Sequence, residues 1–201
     1  MSKESNLYMI RDRKDYIKKL TDDDVINVIG TKGSGKTTST LKYINDDDYI
    51  VVNCDRLYDM PTDKIVEDKF LIEIKDMLKK KYGKICEGET FINCYNDILD
   101  FIKKKNKKAL IEGNVIYDIK PITLLKGTVI VKRTGIIKCY IRAIKRDYPI
   151  RYFLEQEIEK HGKLLERFYR FKNIVKRRKN IFKIYHEIEN IIEDLEAYKN
   201  D

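Results

Sequence analysis

Short apolar runs alternate with longer segments of helical periodicity along most of the chain. The short runs are rich in β-branched residues and are too short to form a buried helix, so each predicts one buried strand. Polar breaks separate the runs from the segments that follow them. The predicted strands are Val25–Ile29, Tyr49–Asn53, Ala109–Ile111, Gly127–Val131 and a short fifth one at Asn180–Tyr185.

The longer segments space their apolar residues as one face of a helix does. Thr62 and Asp63 can cap one of these helices, and Pro149 ends another. This alternation of strand and helix predicts an α/β fold, with a doubly wound parallel sheet that carries helices on both faces. Besides the helix that follows the first strand and ends near Asn45, the predicted helices are Lys64–Tyr82, Phe91–Lys105, Ile136–Asp147 and His186–Tyr198.

The first predicted strand runs directly into a glycine-rich loop, Gly30–Thr37. Its sequence, GTKGSGKT, fits G-x-x-x-x-G-K-[ST], the pattern of the phosphate-binding P-loop. Glycines let such a loop turn tightly and point its N–H groups at phosphate oxygens, while Lys36 supplies a mobile positive charge and the Thr37 hydroxyl binds Mg²⁺. We therefore predict a nucleotide-phosphate site. Its predicted contacts are Gly30, Thr31, Lys32, Gly33, Ser34, Gly35, Lys36, Thr37 and Thr38.

Two acidic residues follow predicted strands at the ends where a doubly wound sheet binds its ligand. Asp55 follows the second strand, and Glu112 follows the third and precedes Gly113. Carboxylates in such places bind Mg²⁺ or its waters, or orient an acceptor hydroxyl. We predict that Asp55 and Glu112 are catalytic and that both lie at the metal, together with Thr37.

The positive charge is placed unevenly along the chain. The net charge is +9, and the stretch from Lys160 to Lys183 has ten Lys or Arg residues against one acid. Arg142 and Arg146 lie one turn apart in the predicted helix before it. A basic helical lid over phosphates and a nucleic-acid surface both have this signature, and charge alone does not choose between them.

Composition restricts the class of protein further. The chain has 201 residues, of which 42% are hydrophobic and 37% charged, as expected for one globular domain spanning 1–201. No apolar run approaches the ~18 residues of a membrane span, so we expect no membrane partner. Its cysteines lack C-x-x-C spacing, which favours free thiols in a reducing cytoplasm.

Four separated segments in the right order resemble the uridine kinase and phosphoribulokinase branch of P-loop kinases. They are Gly30–Thr37, Asp55–Tyr58, Glu112–Gly113 and Arg142–Asp147. The resemblance implies a P-loop kinase fold of five strands, with sheet order 2-3-1-4-5 in chain order of the predicted strands, and a lid insertion at about 148–179. It also implies that Asp55 is the catalytic base and that Arg142 and Arg146 belong to the lid.

These observations predict a kinase that uses ATP and Mg²⁺ to phosphorylate a hydroxyl of a small nucleoside-like or sugar-like acceptor. Lys36, Asp55, Glu112, Arg142 and Arg146 are its predicted catalytic residues. Two alternatives stay open. The basic stretch 160–183 could bind nucleic acid and make the protein a polynucleotide 5′-hydroxyl kinase. The protein could also be a P-loop ATPase or nucleotide switch without an acceptor.

Overall fold

The computed structural model describes residues 7–10, 17, 23–57, 69–85, 90–113, 116, 119, 124–147 and six positions between 183 and 193. Short, mostly β-branched runs form the strands. Four of the five predicted strands are confirmed with bounds that differ by at most one residue at either end, and Val25–Ile29 and Tyr49–Asn53 match in full. The strands are β1 Leu7–Ile10, β2 Val25–Ile29, β3 Tyr49–Asn53, β4 Lys108–Glu112 and β5 Thr128–Lys132.

Four helices lie between these strands and a fifth follows β5, as the apolar periodicity predicts. The helix after the glycine-rich loop is shorter than predicted, because a 3₁₀ turn at Leu41–Tyr43 follows it. The residues before Lys69 in the predicted helix Lys64–Tyr82, and the predicted lid at 148–179, lie outside the described residues. The helices are α1 Lys36–Thr40, α2 Cys54–Leu57, α3 Lys69–Tyr82, α4 Phe91–Lys104 and α5 Ile136–Asp147.

The five strands form one parallel sheet in the order β1-β5-β2-β4-β3. The first four predicted strands therefore have the expected order, but the prediction for the fifth is wrong. Lys183 and Tyr185 are helical, and the edge beside β5 is occupied by Leu7–Ile10. Leu7–Ile10 is a strand because it pairs with β5 at the edge of the sheet. A four-residue sequence pattern does not reveal such a distant pairing.

Alternation along each strand divides the core between the two faces of the sheet. Ile50 and Val52 of β3 belong to one buried cluster, which includes residues of α3 and α4. Val51 belongs to a second cluster, with Tyr43 from the 3₁₀ turn and Ile17. The sheet is thus covered on both faces. No helix among the described residues is long and apolar enough to cross a membrane.

One polar network crosses the first of these clusters. The Tyr95 hydroxyl donates to Asn27 Oδ1 at 3.0 Å and accepts a hydrogen bond from the Lys126 amide at 3.1 Å, while Asn27 Nδ2 donates to the Lys126 carbonyl at 2.8 Å. Burial is the main reason that the pKa of Tyr95 rises to about 12. The network ties α4 to β2 and to the turn before β5.

That turn depends on Gly127, and this dependence gives a first prediction. Gly127 has φ of +74°, and a Cβ there would overlap the Val25 carbonyl oxygen and lie 2.8 Å from Val25 Cβ. Gly83 has φ of +73° but nothing within 4 Å of its Cβ position. Gly83→Ala should cost only the left-handed backbone penalty, roughly 1–2 kcal/mol. Gly127→Ala should cost about 1–3 kcal/mol more, because β2 must move.

Urea unfolding of both variants measures this difference. Equal losses of stability would show that the contact between the β5 turn and β2 is not tight.

Candidate functional site

All strands are parallel, so their carboxyl ends lie at one edge of the sheet. The register pairs Val28 with Glu112 and Glu112 with Asn53. Gly30, the first residue of the glycine-rich loop, therefore lies two residues after Val28, the β2 partner of Glu112. On the other side, Ile29 pairs with Val131, one residue before Lys132. The loop lies between an acidic strand end and a basic one.

The glycine-rich loop has the backbone that only glycine adopts without strain. Gly30, Gly33 and Gly35 have φ of +155°, +83° and +94°. A Cβ on Gly30 would lie 2.8 Å from Ser34 Oγ, and one on Gly33 would overlap the carbonyl group of Cys139 in α5. The three glycines are thus required by conformation, and two of them also by close contacts.

Lys36 is folded back over the loop. Only 7% of Lys36 is exposed, and its Nζ donates a hydrogen bond of 2.5 Å to the Gly30 carbonyl. The Ser34 amide donates to the Thr31 carbonyl at 2.9 Å, which closes a turn inside the loop. A positive charge is therefore held inside a ring of backbone, in the arrangement that binds phosphate oxygens.

Ser34 carries an unsatisfied polar atom inside this ring. Ser34 is 1% exposed, and its Oγ has no hydrogen-bond partner within the part of the chain that the structure describes. A buried hydroxyl without a partner costs free energy, and such groups in native proteins call for an explanation. A phosphate oxygen would accept this hydrogen bond. The loop therefore fits the phosphates of a nucleotide.

Beside the loop lies a small cleft that combines polar groups with apolar walls. Glu112, 1% exposed, accepts a hydrogen bond of 2.5 Å from Asn53 Nδ2. Thr37 lines the same cleft, so its hydroxyl and the Glu112 carboxylate are oxygen donors of the kind that Mg²⁺ prefers. Among the described residues no group of three or more His, Cys, Asp or Glu side chains could hold a metal ion, so a magnesium ion at this cleft would be held by Thr37, Glu112 and oxygens of water or phosphate. The cleft is lined by Thr37, Thr40, Leu41, Ile44, Val51, Asn53, Arg56 and Glu112.

Asp55 lies at the same edge of the sheet, in the short helix α2. A Cβ on Gly113 would lie 2.8 Å from Cys54 Cβ and 3.3 Å from the Asp55 amide nitrogen, so the exit of β4 packs against the start of α2. Burial, with the negative charges of Asp55 and Glu112, raises the pKa of the Cys54 thiol well above its usual range. Gly113, the residue after Glu112, thus packs beside Cys54 and the Asp55 amide, although Asp55 is not among the residues lining the cleft.

Helix α5 supplies contacts on the opposite side of the loop. Arg142 Nη1 donates to the Gly33 carbonyl at 3.4 Å, and Thr134 Oγ1, just before α5, donates to the Ser34 carbonyl at 3.1 Å. Burial raises the pKa of the Cys139 thiol, and the positive charges of Arg142 and Lys36 partly oppose this shift. Arg146 is in the same helix. Residues 148–179, and with them most of the basic stretch 160–183, lie outside the described residues.

Several residues at this edge were missed by the sequence reasoning. Asn53 and Arg56 line the cleft, and Lys132 and Thr134 lie against the loop. Each stands at or just after the carboxyl end of a strand, which is the signal that selected Asp55 and Glu112. Applied to every polar residue at these positions, the same rule would have found them.

A scan against models of protein families finds no match for this chain, and a search of curated proteins finds none either. The class of protein therefore has to be argued from the site itself.

The unsatisfied hydroxyl of Ser34 gives a second prediction. Ser34→Ala removes no hydrogen bond from the ligand-free protein, so its melting temperature should stay the same or rise. If the loop binds the phosphates of Mg²⁺–ATP, stabilisation by the added nucleotide should shrink, because Ser34 would lose its contact with a phosphate oxygen, worth about 1–2 kcal/mol. Thermal-shift measurements with and without nucleotide test both halves.

Ser39→Ala is the matched control. Ser39 Oγ donates to the Gly35 carbonyl at 3.2 Å and accepts a hydrogen bond from Lys132 Nζ. This variant should lower the melting temperature already without nucleotide. An unchanged nucleotide shift in Ser34→Ala would remove Ser34 from the phosphate site.

Proposed function

We propose that this protein is a phosphotransferase that moves the terminal phosphoryl group of ATP, with Mg²⁺, to a hydroxyl of a small nucleoside-like or sugar-like molecule. The observation that carries the proposal is the cleft that Thr37 of the glycine-rich loop lines together with Glu112 and Asn53 of the neighbouring strands. Phosphoryl transfer needs a phosphate-binding loop, oxygen donors for a metal and an acceptor pocket within reach of both. This edge of the sheet has groups suited to each task.

At the donor end, the chain's own residues bind and neutralise charge. Lys36 and the amides of the glycine-rich loop hold the phosphate chain, and Ser34 Oγ donates to it. When bound, Mg²⁺ neutralises charge that develops on the phosphates. Thr37 and Glu112 hold the ion or its waters. Arg142, already in contact with Gly33, approaches from the other side, and Arg146 is the second proposed lid arginine.

At the acceptor end, the cleft has an apolar wall and a polar one. Leu41, Ile44 and Val51 provide an apolar wall, while Asn53 and Glu112 offer hydrogen-bonding groups for hydroxyls. Asp55 takes the proton of the acceptor hydroxyl. As the hydroxyl oxygen bonds to the terminal phosphorus, the bond between that phosphorus and the bridging oxygen breaks, and the bridging oxygen leaves with ADP. Positioning accounts for most of the rate in such a transfer, because little covalent help is required.

Exclusion of water separates a kinase from an ATPase. Arg142 lies against the glycine-rich loop, where it can close over the phosphates so that the acceptor hydroxyl and not water attacks. Activity is measured as ADP release with a panel of nucleosides, sugars and a 5′-hydroxyl oligonucleotide. Release that depends on a small acceptor supports the proposal. Release only with the oligonucleotide, or without any acceptor, would replace it by one of the alternatives.

The third prediction concerns Lys36. Lys36→Met keeps the length of the buried stem but removes the charge that binds the phosphates. We expect kcat/KM to fall by about 10³-fold or more, with an unchanged circular dichroism spectrum. Lys138 is exposed on α5, so Lys138→Met controls for the loss of one positive charge. Retained turnover in Lys36→Met would exclude the glycine-rich loop from the chemistry.

The fourth prediction separates the two acids. Asp55→Asn removes the proposed base, so kcat should fall by about 10²- to 10⁴-fold while nucleotide affinity is kept. Glu112→Gln weakens the proposed metal site, so its activity should recover in part at higher Mg²⁺ concentration. Kinetics over a Mg²⁺ titration compare the two variants. If Glu112→Gln loses kcat without recovery, and Asp55→Asn recovers at higher Mg²⁺ concentration, then Glu112 is the base and Asp55 belongs to the metal site.

A further inference from the structure

Lys132, the last residue of β5, lies against the glycine-rich loop. It is 6% exposed, and its Nζ donates a hydrogen bond to Ser39 Oγ in α1. A Cβ at Gly35 would lie 3.7 Å from Lys132 Cε and 4.0 Å from its Nζ. The ammonium group is therefore next to the residue that precedes Lys36.

The rest of Lys132 follows the start of the same loop. A Cβ at Gly30 would lie 2.7 Å from the Lys132 carbonyl oxygen and 3.3 Å from its Cβ. Lys132 thus passes alongside the loop from Gly30 to Gly35. The carboxyl end of β5 brings it there, because β5 pairs in parallel with β2, the strand that ends at the loop.

A second cation reaches the same place from α5. Arg142 Nη1 lies 3.8 Å from the Cβ position of Gly35, the same position that Lys132 Nζ approaches. Lys36 adds a third positive charge from within the loop. Like charges brought together in a partly buried place repel each other, and a bound anion relieves this repulsion. Three positive charges this close together suit the binding of a polyanion.

We infer that Lys132 is a further phosphate-binding residue, whose ammonium contacts oxygens of the polyphosphate chain from the β5 side of the loop. The inference rests on the proposed function, because it assigns a new contact within the same phosphate site. Lys36 binds the chain from within the loop, and Lys132 binds it from outside. A purely structural role, bracing β5 against α1 through Ser39, is the competing explanation.

The test measures binding of inorganic tripolyphosphate and of Mg²⁺–ATP by isothermal titration calorimetry at fixed ionic strength. Lys132→Met should weaken both affinities about 10- to 100-fold, the effect of losing one charge-assisted contact. Lys138→Met, with the same change in net charge on exposed α5, should stay within about twofold. Lys132→Gln is the second variant if the methionine variant does not fold.

Ser39→Ala separates phosphate binding from bracing. It breaks the contact between Lys132 and Ser39 but keeps the ammonium, so affinity should fall by no more than about threefold. Equal losses in Ser39→Ala and Lys132→Met, or wild-type affinity in Lys132→Met, would overturn the inference. Failure of the wild-type protein to bind either ligand would instead overturn the proposed function itself.

Discussion

Parallel hydrogen bonding on both sides of β2 is the constraint on which the site depends. Strand β2 pairs with β4 on one side and with β5 on the other, and β4 pairs in turn with β3. Because all these strands run the same way, the loop after β2 meets Glu112, Asn53 and Lys132 at one edge. A single antiparallel neighbour would carry its terminal side chain to the opposite end of the sheet.

The same order of strands places Lys132 and Glu112, two oppositely charged strand ends, on opposite sides of the glycine-rich loop. Lys132 and, through α5, Arg142 approach the loop from the β5 side. Asn53 and the Glu112 carboxylate lie on the β4 and β3 side, where the cleft opens beside Thr37. The positive side suits a polyphosphate, and the side with oxygen donors suits a metal ion and hydroxyl groups. In the proposed reaction, donor and acceptor would thus approach the loop from opposite sides.

Sequence patterns predicted some parts of this arrangement well and others badly. Val25–Ile29, Tyr49–Asn53 and Ile136–Asp147 have the predicted bounds, because each has strong periodicity between clear breaks. The edge strand was assigned to the wrong end of the chain, since Leu7–Ile10 is short and its partner β5 is far away in sequence. Asp55 and Glu112 were placed at the carboxyl edge of the sheet, but the cleft that Glu112 lines together with Thr37 was not foreseen.

By itself the sequence determined the local chemistry: a loop of three glycines ahead of Lys36 and Thr37, and polar residues that directly follow buried runs. Such features depend on neighbours along the chain, so a pattern reveals them. Only the tertiary structure decided that Ser34 Oγ is buried without a partner and that Lys132 lies beside Gly35. Those facts depend on residues about a hundred positions apart that come together because parallel strands align their ends.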